Sequence, residues 1–141
     1  MANSVGEQSA IERHGSCLCG AVKFAVTGTI RGVGSCHCSK CRKVSGTNGN
    51  AIFLVPADRF EWVDGQDHTD NFAFPSGWGV TRCQDCGSPL PASHDGKLFW
   101  VPAGLMNDPL ETDIKQHIFC GSRADWDKEA VDAQHFDEAA K

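Results

Sequence analysis

Between residues 21 and 27 apolar and polar side chains alternate. Val22, Phe24 and Val26 fall on one face, Lys23 and Thr27 on the other, the period of a half-buried strand. Residues 51–55 (Ala-Ile-Phe-Leu-Val) read as an apolar strand stopped by Pro56, and residues 60–63 as a short one ended by the Asp64-Gly65 turn. Extended segments at 71–74 and 78–82 are separated by Pro75-Ser76-Gly77. Segments 90–93 and 97–101 flank Asp95-Gly96 and predict a hairpin. Residues 114–120 form a last strand, with Ile114, Gln116, Ile118 and Cys120 on one face and Lys115, His117 and Phe119 on the other. Helical signals are few: a turn at 42–46 closed by Gly46, and a short helix from Trp126 to about Ala133. Many short strands with frequent turn glycines predict a mostly β fold, with Trp62, Trp78 and Trp100 assigned to its core.

Length and charge narrow the function classes. The chain has 141 residues, which predicts one domain: a flexible polar leader at 1–12, a zinc-binding body at 13–131, and an acidic tail at 132–141. A net charge of -5 leaves no electrostatic footprint for nucleic acid or an anionic membrane. No apolar run approaches the ~20 residues of a membrane helix. The polar start carries no signal-peptide core, so a cytoplasmic protein is expected. Eight cysteines would suit a disulfide framework in a secreted chain. In a reducing compartment, tight C-x-C and C-x-x-C clusters are instead metal or redox signatures.

The clusters sort by spacing. Cys17-x-Cys19 and Cys83-x-x-Cys86 are each followed at once by glycine, which tolerates positive φ and lets backbone N–H groups approach sulfur. Two such turns facing each other make a closed four-thiolate zinc site of the structural kind. Cys36-His37-Cys38-Ser39-Lys40-Cys41 offers three more thiolates, with Arg42 and Lys43 directly after them. His37, the middle residue of C-x-C, should point away from its neighbours. This second cluster therefore reads as an open three-thiolate zinc site. Cys120 is left over and reads as a small buried hydrophobe.

Three cysteine motifs stand in order: Gly15-Ser16-Cys17-Leu18-Cys19-Gly20-Ala21-Val22, then Cys36-His37-Cys38-Ser39-Lys40-Cys41-Arg42-Lys43-Val44-Ser45-Gly46, then Cys83-Gln84-Asp85-Cys86-Gly87-Ser88-Pro89-Leu90. With the closing segment from His117 to Trp126, they resemble the glutathione-dependent formaldehyde-activating enzyme family, whose domain is shared with centromere protein V. The resemblance runs from about residue 13 to residue 126. It implies an Mss4-like fold of several small coiled β-sheets built around zinc-binding cysteine turns. It also implies a structural zinc on Cys17, Cys19, Cys83 and Cys86, and a functional zinc on Cys36, Cys38 and Cys41. The implied activity joins glutathione to formaldehyde, a carbon–sulfur lyase reaction. Arg82, Cys120 and Asp125 depart from the family's usual residues, but none is a proposed ligand.

An open zinc can hold an incoming thiol as the nucleophilic thiolate, or polarise a carbonyl as a Lewis acid; sequence supports both. Catalytic roles therefore fall to Cys36, Cys38 and Cys41, with a small thiol and an aldehyde as partners. Arg42 and Lys43 either grip the thiol's carboxylates or are solvated surface cations. His117 is read as an edge-strand surface residue, with general base the other role open to it, and His37 and His94 are further candidates. The alternative function is a non-catalytic, zinc-stabilised binding module of the same fold.

Overall fold

The computed structural model describes residues 11–93 and 95–140, so most of the predicted leader, together with His94, lies outside the described residues. In chain order the elements are β1 (Glu12–Ser16), β2 (Lys23–Thr27), β3 (Val33–Cys36), α1 (Ser39–Ser45), β4 (Asn50–Pro56), β5 (Phe60–Asp64), β6 (Thr69–Ala73), β7 (Gly79–Cys83), β8 (Leu98–Pro102) and β9 (Ile114–Ile118), with single 3-10 turns between several of them. The fold is mostly β, built from small sheets as expected. One sheet has the order β1-β2-β5, a second β8-β4-β3-β9, and β6 pairs with β7 alone. Pairing is antiparallel except between β3 and β9.

The alternation read from sequence decides what is buried. Phe24 and Val26 of β2, Phe53 and Val55 of β4, and Val101 of β8 point into one core between the first two sheets. An aromatic column fastens the sheets together: Phe60 stacks on Phe99 at 3.9 Å and on Phe24 at 5.6 Å between centroids. Offset aromatic contacts of this kind add to plain area burial. A second core holds Cys17, Val22, Cys83 and Leu90. Arg13 of β1 is buried; its guanidinium donates to the carbonyls of Pro109 and Gly28 and pairs with Glu111 at 3.1 Å.

Several expectations are corrected. The segment at 90–93 is not a strand; Ala92 makes only an isolated bridge to Trp100. Pro89 and Pro91 lack the N–H groups a ladder needs there. β9 ends at Ile118 because Phe119 turns left-handed, with φ 56°. Cys120 therefore sits in an exposed 3-10 turn and is no buried hydrophobe. Residues 126–133 form turns and not a helix. Trp126 and Val131 are exposed there, so a helix would have no packed face to stabilise so short a segment. Trp62 packs against both cores. Trp100 does not belong to the core: it is 47% exposed on the outer face of β8, and half-buried Trp78 shares that surface.

Candidate metal centres and groove

The loop after β1 brings in Cys17 and Cys19, and the turn after β7 brings in Cys83 and Cys86. Gly20 and Gly87 take left-handed φ values of 82° and 79°, which lets each chain curl back past its sulfurs. The four Sγ atoms lie within 4.8 Å of one another. The separations are 3.6 Å for Cys17–Cys19 and 3.9 Å for Cys19–Cys83. A tetrahedral zinc with sulfur at about 2.3 Å sets neighbouring sulfurs about 3.8 Å apart, so the site fits such an ion. A disulfide needs sulfurs about 2.05 Å apart, and all eight cysteines are free. The Val22 N–H donates to Cys17 Sγ at 3.3 Å, and the Ser88 hydroxyl lies 3.3 Å from Cys86 Sγ.

The second cluster forms where β3 runs into α1. Cys36 ends the strand, and Cys38 caps the helix, its thiol accepting from the Cys41 N–H at 3.4 Å. Gly46 closes the helix with φ 69°. The sulfurs of Cys36, Cys38 and Cys41 again lie within 4.8 Å of one another. No fourth His, Cys, Asp or Glu joins them among the described residues. His37 is turned away and buried; its Nδ1 lies 3.1 Å from the Asn48 carbonyl and its Nε2 2.9 Å from His117 Nδ1. Asp127 stands beside His37 at 3.3 Å and also meets Arg123. This His37–His117–Asp127 contact, which pins the C-terminal segment behind the cluster, went unread in the sequence because it joins residues some 80 positions apart.

Thiol acidity differs within each cluster. Burial pushes the Cys38 thiol up, but the Cys41 and Lys40 N–H groups and the neighbouring thiols outweigh it, so it lies below its ordinary value. Burial, with the neighbouring Cys36 and Cys38 thiols, pushes Cys41 well above it. In the four-thiol centre, hydrogen bonding by Ser88 holds Cys86 down at about 5. The Ala21 N–H pulls Cys19 down, yet desolvation and the adjoining thiols prevail and push it up to about 12.

The three-thiol cluster opens into a groove of about 1440 Å³. Its floor is the outer face of the four-stranded sheet, where alternate positions of each strand point: Gly34 and Cys36 from β3, Ile52 and Leu54 from β4, Trp100 from β8, Ile118 from β9. Lys40, Cys41, Val44 and Ser45 contribute from α1, the spacing of one helix face. Arg42 and Lys43 fall between those positions and do not line the groove. Its cations are Arg31, Lys40 and Arg59, against the single carboxylate of Asp58. His37 and His117 line a smaller pocket of about 410 Å³ away from the cysteines.

These features define a small β protein with two separate cysteine centres, each able to hold a metal ion, one closed and one facing a groove. The model of the glutathione-dependent formaldehyde-activating enzyme family matches residues 12–122, and the chain belongs to that family. A crystal structure of a Rhodobacter sphaeroides protein shares the fold, with a TM-score of 0.55 and 18% identity over 72% of this chain and 98% of that one. No helix among the described residues is long and apolar enough to cross a membrane.

Proposed function

We propose that this chain is a zinc-dependent enzyme of the carbon–sulfur lyase type, joining a small glutathione-like thiol to an aldehyde such as formaldehyde. The observation that carries this reading is the convergence of Cys36, Cys38 and Cys41, with no fourth ligand among the described residues, at the end of an open groove. A zinc held by these cysteines supplies a centre that favours the deprotonated form of an incoming thiol. The groove brings thiol and aldehyde together, and proximity of this kind lowers a bimolecular barrier by several kcal/mol, on the order of 7–11 at best. In the reaction a C–S bond forms as the carbonyl π bond breaks, and the thiol's proton ends on the carbonyl oxygen. Lys40, one residue from Cys41 and facing the groove, is placed to grip a carboxylate of the thiol. The sequence left Arg42 and Lys43 open between that role and solvated surface cations, and neither lines the groove. Four further thiols, Cys17, Cys19, Cys83 and Cys86, make the closed centre that holds the fold. Eight free thiols fit a reducing compartment, so we place the protein in the cytoplasm.

The test is adduct formation followed by NMR with 13C-formaldehyde and glutathione. The zinc-loaded protein should accelerate the appearance of the adduct, and Cys38→Ala should lose at least tenfold of that rate while keeping a cooperative melt. Adduct formation no faster than in buffer would reject the reading.

A further inference from the structure

The groove is far larger than a one-carbon aldehyde requires, and exceeds the ~300–1,000 Å³ of ordinary small-molecule sites. Its floor has a distinctive shape. Gly34 leaves the middle of β3 without a side chain, between Ile52 of β4 and Gln116 of β9, whereas the space above Gly32 is filled by the Lys115 side chain. Glycine inside a strand weakens the sheet and often marks close approach of a ligand. Gly34 does not need to be glycine for its own backbone: its φ is not left-handed, and an added Cβ would meet only the Gln116 side chain, at 3.7 Å. The gap over Gly34 opens a trough that leads from Cys36 back along β3.

Apolar side chains on the walls are unusually exposed, with Leu54 at 51% and Ile118 at 44%. Exposed apolar surface gathered in one place marks a binding surface. The far end is different in character. Arg31 lies five residues before Cys36, about 16 Å away along an extended chain at ~3.3 Å per residue. Because β4 runs antiparallel to β3, with Gly34 opposite Ile52, Arg59 arrives at that same end. Neither arginine pairs with a carboxylate among the described residues. The trough thus has thiols at one end, exposed apolar side chains of β4 along one side and two cations at the other end.

Resting on the thiol-plus-aldehyde reading above, we propose that the preferred aldehyde is a long one: its apolar chain lies in the trough over Gly34, along Ile52 and Leu54, its carbonyl faces the three-cysteine centre, and a terminal carboxylate reaches Arg31 and Arg59. Formaldehyde fills none of the trough and gains none of this binding energy. Remote contacts of this kind improve reaction as well as binding when they hold the carbonyl in place.

The experiment uses zinc-loaded protein and two unreactive probes, decanoate and 1-decanol, measured by calorimetry. Decanoate should bind at least tenfold more tightly than 1-decanol. Arg31→Gln with Arg59→Gln should remove that preference, whereas a carboxylate bound at the metal end would keep it. Gly34→Val, which fills the trough, should weaken decanoate at least tenfold while keeping its metal and melting cooperatively. Leu54→Trp serves if that variant does not fold. In turnover with glutathione, 10-oxodecanoate should show a kcat/KM at least tenfold above that of formaldehyde. Equal binding of the two probes, or decanoate affinity unchanged by Gly34→Val, overturns the proposal. Formaldehyde turnover without decanoate binding sinks this inference and leaves the enzyme reading standing. Decanoate binding that Gly34→Val weakens, with no glutathione adduct of any aldehyde, keeps the trough's occupant and sinks the enzyme reading.

Discussion

At the scale of single residues, the thiols divide into donors ready to bind a metal and donors that must first lose a proton. Cys86, held at about 5 by Ser88, and Cys38, held down by N–H groups despite its burial, are of the first kind. Cys19, pushed up to about 12, and Cys41, pushed up by burial and its neighbours, are of the second. A raised thiol pKa means the protonated form, which cannot ligate, persists to higher pH. Metal entering either centre must therefore displace protons, and affinity falls as pH falls. Metal-free protein titrated with zinc should bind more tightly as pH rises through about 6 to 8. The heat should vary with the buffer's ionisation enthalpy, reporting released protons. Binding that is independent of pH and buffer would contradict this assignment of protonation.

At the scale of elements, Arg82 is the brace between the two centres. From β7 it donates to the Gly87 carbonyl at 2.7 Å, inside the four-thiol turn, and to the Val44 carbonyl near the end of α1. Hydrogen bonds from a charged donor contribute about 1.5–3 kcal/mol each. Arg82→Ala should therefore lower the melting temperature and let chelator strip the three-cysteine centre faster, with the four-cysteine centre less affected; unchanged release from both would refute the brace. The sequence shows Arg82 only as an odd residue before Cys83, because its partner Val44 lies 38 positions away. What was legible followed local rules: β2 and its buried face, the β4 stop at Pro56, the glycine after each cysteine turn. What was not legible depended on a neighbour or on a backbone angle. Cys120 left the last strand because Phe119 turns left-handed. Trp100 could be assigned to either face, since β4 and β8 carry apolar residues on both. Which of the cations at 40, 42 and 43 faces the groove needed the phase of α1.

At the scale of the whole molecule, the two centres have different work. The four-cysteine centre draws Cys17 and Cys83 from the second core, beside Val22 and Leu90, so a metal held there would be part of folding. Cys83→Ser should lose metal and melt at a markedly lower temperature; retention of both metal equivalents and of the melting point would show that these cysteines do not form one centre. The three-cysteine centre lies at the groove and spans only β3, α1 and the loop between them, so losing its metal should leave the sheets intact. Its role as the place where a thiol binds is the central claim. The most direct measurement is zinc-edge X-ray absorption on fully metallated protein, with and without millimolar glutathione, in the native chain and in Cys38→Ala. The account predicts that glutathione raises the mean number of sulfur neighbours per zinc in the native chain and leaves it unchanged in the variant. An identical spectrum with and without glutathione in the native chain would contradict it.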